Sequence, residues 1–218
     1  MIAIGSILAK ERKARGWLWK RKLHIWGSGT DKASRAFSAH HFYHAVRGNI
    51  TRSQIKGHPQ NPALGDPGLL VDQLYKGGGN IEKKYGLGVI PHFVDQQDPR
   101  VQEILSLPHT RLINVFSPVE QVVKEIRQCN FVLSSSMHGL IVADSFGIPN
   151  RRMPFSSGII SDLKFDHYYS AFGLSCPASV TPEEVIEGGW EQARFFEDYQ
   201  RPGLDALKEG LYSAFPLL

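Results

Sequence analysis

Residues 130–150, NFVLSSSMHGLIVADSFGIPN, constrain the fold more than any other stretch of this chain. An apolar strand (131–133) runs into a turn of three serines, Ser134, Ser135 and Ser136. An amphipathic helix follows and stops before Gly147 and Pro149. A strand that turns directly into a helix is the repeating half of a parallel α/β layer. The opening turn of such a helix carries unpaired backbone N–H groups and the positive end of the macrodipole, so it offers a site for an anion. His138 lies in that first turn, which points to an enzyme holding a small phosphorylated anion there.

The rest of the chain has the same alternation. Residues 1–8, MIAIGSIL, read as a buried strand entering a loop, and 23–29, LHIWGSG, as a second strand ending in a Gly-Ser-Gly turn. Residues 40–50 give a third strand ending at Arg47-Gly48, with a short helix from Thr51. Arg47 thus falls at the mouth of a strand, where open α/β sheets collect ligands. The glycine-rich stretch 76–80 is the expected linker between domains 1–80 and 81–218. Beyond it come a strand at 85–93 closing at Pro91-His92, a helix at 99–106 and a strand at 111–116. Ser117 and Glu120 predict a capping box for a helix whose core stripe is Val119, Val122, Val123 and Ile126. A helix over 162–173, a capping box from Thr181 to Glu184 and a mostly helical tail over 190–214 complete the pattern. The expected fold is α/β, with two Rossmann-like halves and a cleft between them. Because the chain opens abruptly on a strand, a strand-and-helix unit is expected to be missing upstream or supplied differently.

Charge and composition narrow the function. The net charge of +4 is local: residues 10–22, KERKARGWLWKRK, carry +6 and leave −2 on the other 205 residues. With Trp17, Trp19 and Trp26 interleaved, residues 10–26 suit an anionic membrane face; the plainer alternative is a solvated basic loop with tryptophans tucked into the core. No nucleic-acid-binding motif accompanies the charge, so nucleic acid is not an expected partner. No run approaches the ~18 apolar residues of a membrane span, and two cysteines without metal-ligand spacing suit a reducing cytoplasm. His40 and His44 are four apart but lack an HExxH pattern or an acidic partner. They are better read as packed or surface histidines, and no metal is expected. No glycine pattern matches a dinucleotide or Walker fingerprint.

Six stretches, taken in order, resemble the polysaccharide pyruvyl transferase family: IGSIL (4–8), WGSG (26–29), AVRGNIT (45–51), LGDPGLL (64–70), GVIPHFVD (88–95) and SSSMHGLIVADSFGIPN (134–150). The last is most similar to the branch acting on exopolysaccharides such as xanthan and succinoglycan. The resemblance implies a two-domain fold like that of B-type glycosyltransferases, here with the first domain shortened at its N-terminus. It also implies transfer of pyruvate from phosphoenolpyruvate to a sugar as a cyclic ketal, with phosphoenolpyruvate as substrate and no cofactor. The acceptor would be a polysaccharide or lipid-linked oligosaccharide, and the protein cytoplasmic or peripheral on the inner membrane face. On this resemblance His138 is the family's histidine in its His-Gly motif with Gly139, Arg47 is the arginine of its Val-Arg motif, and Lys164 in DLKFDHYY is a lysine downstream. Two features depart from the family: Ser136 stands where many relatives carry arginine, and the Asn-x-Gly-Asp segment usually found upstream of IGSIL is not in this chain.

Phosphoenolpyruvate is a compact, multiply charged anion, so its site requires cationic and N–H donors. The available set is Arg47, Lys164, the turn Ser134 to Ser136 and Gly139, with His92 as a further candidate at a strand's carboxyl end. Protonation of the methylene carbon creates a cation-like centre that a sugar hydroxyl attacks, and a second hydroxyl then displaces phosphate. Histidine is the natural group to move these protons near neutrality, and His138 is the candidate. Two alternatives stay open: a nucleotide-sugar-dependent glycosyltransferase of the same architecture, and a non-catalytic, membrane-associated subunit of polysaccharide assembly.

Overall fold

From residue 71 to residue 152 helices and strands alternate, as the apolar periodicity predicts. The computed structural model describes residues 1–10, 22–32, 36–57, 61–75, 81–156 and 161–217. In chain order its elements are β1 (His24–Trp26), β2 (Phe37–Ser38), β3 (Phe42–Val46), α1 (Asn49–Ser53), β4 (Ile55–Lys56), β5 (Ala63–Leu64), α2 (Val71–Leu74) and β6 (Tyr85–Ile90). There follow α3 (Pro99–Leu105), β7 (Thr110–Leu112), α4 (Val119–Arg127), β8 (Cys129–Ser134), α5 (Met137–Ser145), β9 (Asn150–Arg152), α6 (Leu163–Tyr169), α7 (Pro182–Gly188) and α8 (Leu204–Ser213). Among the described residues every strand pairing is parallel, consistent with the expected α/β class.

The chain forms two compact units, one of Met1–Leu70, Ser161–Cys176 and Arg201–Leu218, the other of Val71–Ile160 and Pro177–Gln200. The sequence suggests a single crossing near 76–80, which lies outside the described residues. Instead the chain returns to the first unit at Ser161 and again at Arg201, so α6 and α8 belong to the first unit. Most of the basic segment, 11–21 with Trp17 and Trp19, also lies outside the described residues.

In the first unit the sheet runs β1-β3-β5, with Ile2 bridged to Ile25 at its edge. The strand expected over 1–8 is reduced to that bridge, because Gly5 takes φ 99°, which breaks an extended run. Ile25, Tyr43 and Val46 of the sheet pack in one core cluster with Leu8, Phe37 and Ile55. Trp26 donates from Nε1 to the Leu211 carbonyl (2.8 Å) and meets Phe215 edge-on, which ties α8 to the strand end.

In the second unit the order is β7-β6-β8-β9. Period-two alternation sends Leu87, Val89 and Leu133 to one face, where they pack with Val101 and Ile104 of α3 and Val185 of α7. Ile90 and Val132 go to the other face, against Ile126 of α4 and Ala143 of α5. The sheet is therefore covered on both sides, as a parallel sheet must be. At Gly86 a Cβ would lie 2.2 Å from the Trp190 ring, so only glycine lets that indole close the core.

Several local expectations change. Strand β7 ends at Leu112 rather than Phe116. Helix α4 begins after Pro118, which occupies the N-cap without a side-chain bond, so the Ser117 capping box does not form and Val119 stays 61% exposed. The Thr181 capping box does form, with both the Thr181 and Glu184 side chains engaged. The tail over 190–214 is helical in α8 and in one short 3-10 turn at Ala193–Phe195. Helix α5 is not amphipathic: its nine residues are buried or half-buried except one, His138. No helix among the described residues is long and apolar enough to cross a membrane.

Candidate functional site

The second unit places its candidates where its topology reverses. From β6 the chain adds β7 on one side, then crosses back to place β8 on the other, so the turn of direction falls between β6 and β8. Open α/β sheets bind ligands outside the carboxyl ends of the strands at such a point. The segments leaving those two ends are Pro91-His92 after β6 and Ser135-Ser136 after β8.

The three serines have different tasks. Ser134 Oγ donates to the Ile90 carbonyl (2.8 Å) and accepts from the Ser136 amide (3.0 Å), which binds β8 to β6 at their ends. Ser135 Oγ donates to Asp95 Oδ2 (2.6 Å) and accepts from the His92 amide (2.7 Å). Asp95 Oδ1 accepts from Ser156 Oγ (2.7 Å). The hydroxyls of Ser134 and Ser135 are thus spent on buried contacts that hold the loop after β6. Ser136, half-buried, is the N-cap of α5 and makes no side-chain cap bond. Gly139 lets the helix sit down on the strand ends, since a Cβ there would be 2.6 Å from Ser134 Oγ and 3.1 Å from Ile90. His138 is left as the exposed side chain of the first turn. His92 is half-buried, with its ring tilted on Phe93 at 4.4 Å.

The structure brings Arg47 and the helix of Lys164 together in the first unit. Arg47 follows β3 and is fully buried. Its Nε donates to Asp66 Oδ2 (3.2 Å), in an ion pair with neither side chain exposed, and its Nη1 donates to Ser6 Oγ (2.8 Å). Gly29 makes room for it, because a Cβ there would be 3.0 Å from the guanidinium carbon. Burial pulls the Arg47 pKa below its ordinary value, opposed by the Asp66 carboxylate. Lys164 is half-buried on α6, with Nζ 5.3 Å from the Phe165 ring centre.

Sequence reasoning missed four side chains that hold this machinery: Asp66 and Thr51 in the first unit, Asp95 and Ser156 in the second. Three lie inside the quoted motifs, in LGDPGLL, AVRGNIT and GVIPHFVD, and their place in those motifs was the available signal. Cys129, one of the two cysteines, is buried, its Sγ donates to the Glu125 carbonyl, and burial pushes its thiol up to about 12, so it is core and not a nucleophile. His44 does not share a helix face with His40 but lies in β3, its Nε2 2.9 Å from His24 Nδ1. The rings are 8° from parallel with centres 5.2 Å apart, a spacing that fits a head-on hydrogen bond between imidazoles.

Comparison with known proteins gives a consistent answer. The sequence profile described as Polysaccharide pyruvyl transferase matches residues 13–154. The chain is 31% identical over 159 residues to the "Uncharacterized protein L143" of Acanthamoeba polyphaga mimivirus, covering 69% of this chain and 55% of that protein. It is 26% identical over 157 residues to the "Succinoglycan biosynthesis protein ExoV" of Rhizobium meliloti (strain 1021), covering 70% of this chain and 48% of that protein. The chain thus spans about half the length of the curated relatives it matches. No solved structure matches it. A profile that covers well over half of the chain, and contains Arg47, His92, the serine turn and His138, decides the matter: the chain belongs to the polysaccharide pyruvyl transferase family.

Proposed function

We propose that the protein moves pyruvate from phosphoenolpyruvate onto a sugar of an exopolysaccharide repeat unit, lipid-linked and of the succinoglycan or xanthan type, as a cyclic ketal. The observation that carries this reading is His138. It is the exposed residue of a helix otherwise withdrawn from solvent, and it stands at the strand-order reversal of the second unit. A buried helix has no packing reason to keep a histidine outside, whereas a proton-transferring group must be reachable. The name of the ExoV relative supports the polysaccharide context.

In this reading His138 moves the protons of addition and elimination. The first-turn amides of α5, with Ser136, hold an anionic group of the donor. Ser134, Ser135 and Gly139 set the geometry of that turn, and His92 borders it. Arg47 and Lys164 of the first unit are proposed as cationic phosphoenolpyruvate-binding residues. Each unit is taken as one half of a B-type glycosyltransferase-like fold, with no cofactor, and residues 10–26 hold the protein at an anionic membrane surface where a lipid-linked acceptor resides.

The test is selective protection. Phosphoenolpyruvate at a hundred times its dissociation constant is expected to stabilise the protein by about 2.7 kcal/mol, seen as a rise in melting temperature, while nucleotide sugars leave it unchanged. Protection by a nucleotide sugar and none by phosphoenolpyruvate would transfer the chain to the glycosyltransferase reading.

A further inference from the structure

Among the described residues of the first unit, Nη2 of Arg47 and Nε2 of His167 are buried nitrogens without a hydrogen-bond partner. Their residues are 0% and 1% exposed. Buried polar groups are normally paired, so two orphans in one cluster require a cause. The sequence gives no hint of it, since His167 lies 120 positions beyond Arg47.

The cluster is held together by the docking of α1 on α6. A Cβ at Gly48 would lie 1.9 Å from the His167 carbonyl oxygen, so the backbone leaving Arg47 rests directly on α6. Asn49 Nδ2 donates to the Ser170 carbonyl (2.8 Å), the Ile50 amide to Ser170 Oγ (3.2 Å), and Ser170 Oγ to the His167 carbonyl (2.8 Å). Thr51 Oγ1 then meets His167 Nδ1 at 2.8 Å, which fixes the imidazole.

The protonation state follows from the surroundings. Burial first, then the Arg47 charge, hold His167 down to about 4, against an upward pull from Asp31. Arg47 reaches it from the end of β3 and Asp31 from beyond β1. Asp66 is occupied by Arg47, and Lys164 and Asp166 flank the histidine on α6. At neutral pH the ring is therefore uncharged, with one nitrogen donating and one accepting. Had Nδ1 carried the proton, the buried Thr51 hydroxyl hydrogen would have no acceptor. With Thr51 donating to Nδ1, both groups are satisfied and the proton sits on Nε2.

Nε2–H of His167 and N–H of Arg47 Nη2 are then two unused buried donors on residues near enough to act on each other electrostatically, and such donors call for acceptors. We propose that His167 is a ligand-binding residue that works beside Arg47 on an anionic carboxylate or phosphate, with Thr51 as the positioning residue that fixes its tautomer. A neutral donor suits this place because it adds a hydrogen bond without repelling the guanidinium. The proposal rests on the reading of Arg47 as a donor-binding residue.

Calorimetric titration with phosphoenolpyruvate tests it, using the full chain and four variants. Thr51→Val and His167→Gln are expected to weaken binding about tenfold, the worth of one hydrogen bond to a charged group. Thr51→Ser, which keeps the hydroxyl, is expected to recover most of the loss. Competition by pyruvate or by inorganic phosphate identifies which group of the donor is bound. The ratio of wild-type to His167→Gln affinity is expected to stay constant from pH 5 to 8, since a ring titrating near 4 is neutral throughout. Wild-type affinity in Thr51→Val, or a ratio that climbs as the pH falls through 6.5, would overturn the proposal. Arg47→Lys separates the two levels: if it weakens binding while Thr51→Val and His167→Gln do not, only the role of His167 fails. If the wild type does not bind phosphoenolpyruvate at all, the donor assignment fails with it.

Discussion

Arg47→Ala is expected to destabilise the first unit by about 3–5 kcal/mol, because it strands Asp66 as an unpaired charge in a fully buried position. Among the described residues the Asp66 carboxylate then keeps the Gly68 amide alone (3.1 Å). At this chain size the corresponding fall in melting temperature is roughly 6–20 °C, readable by calorimetry without any substrate. Much of the loss belongs to the orphaned carboxylate and not to the ion pair itself. A double replacement, Arg47→Met with Asp66→Leu, is therefore expected to recover most of the stability while leaving donor binding lost. A melting temperature within about 2 °C of wild type for Arg47→Ala would show that the buried pair does not hold the unit together. This separation matters because the same residue is both buried scaffold and proposed ligand contact.

For His138→Ala the expectation is the reverse: turnover lost by at least about a hundredfold with stability changed by no more than about 0.5 kcal/mol. The side chain is exposed, and its neighbours in α5 are held by other contacts, such as Asp144 Oδ1 with Asn150 Nδ2 (2.6 Å) and the Tyr199 hydroxyl (3.0 Å). Steady-state phosphate release and a melting curve on the same preparation check both halves. Near-normal turnover would remove His138 from the chemistry. A collapsed fold would contradict its placement on the surface of α5.

The comparison of Arg47 with His138 shows what the sequence could reveal. The place of His138 in a helix's first turn was legible because an apolar strand, three turn-forming serines and a helix start form one local signal within twenty residues, although the contacts that brace the turn reach back to Ile90 and Asp95. The environment of Arg47 was not. Asp66 is 19 residues away, Ser6 is 41, and the helix that braces the backbone beside it returns only at residue 163. Local pattern cannot announce contacts closed by the re-entry of a distant segment. The same limit explains why α6 looked like part of a continuous second domain. Helix α5 was read as amphipathic because His138 and Asp144 are polar, yet Asp144 is buried with Asn150 and Tyr199 as partners, so polarity there marks a satisfied core group and not a solvent face. At Ser117 the capping-box pattern was present but Pro118 took the cap position, one residue further on.

The central claim is that the donor is phosphoenolpyruvate and that its pyruvyl group ends on a sugar. The most direct measurement is mass spectrometry of lipid-linked oligosaccharide acceptors after incubation with the protein and phosphoenolpyruvate, with phosphate release followed in parallel. The account predicts one phosphate released per pyruvyl ketal formed, dependent on both substrates and abolished in His138→Ala. A folded protein that releases no phosphate and modifies no acceptor, or one that adds a glycosyl group from a nucleotide sugar instead, would contradict it.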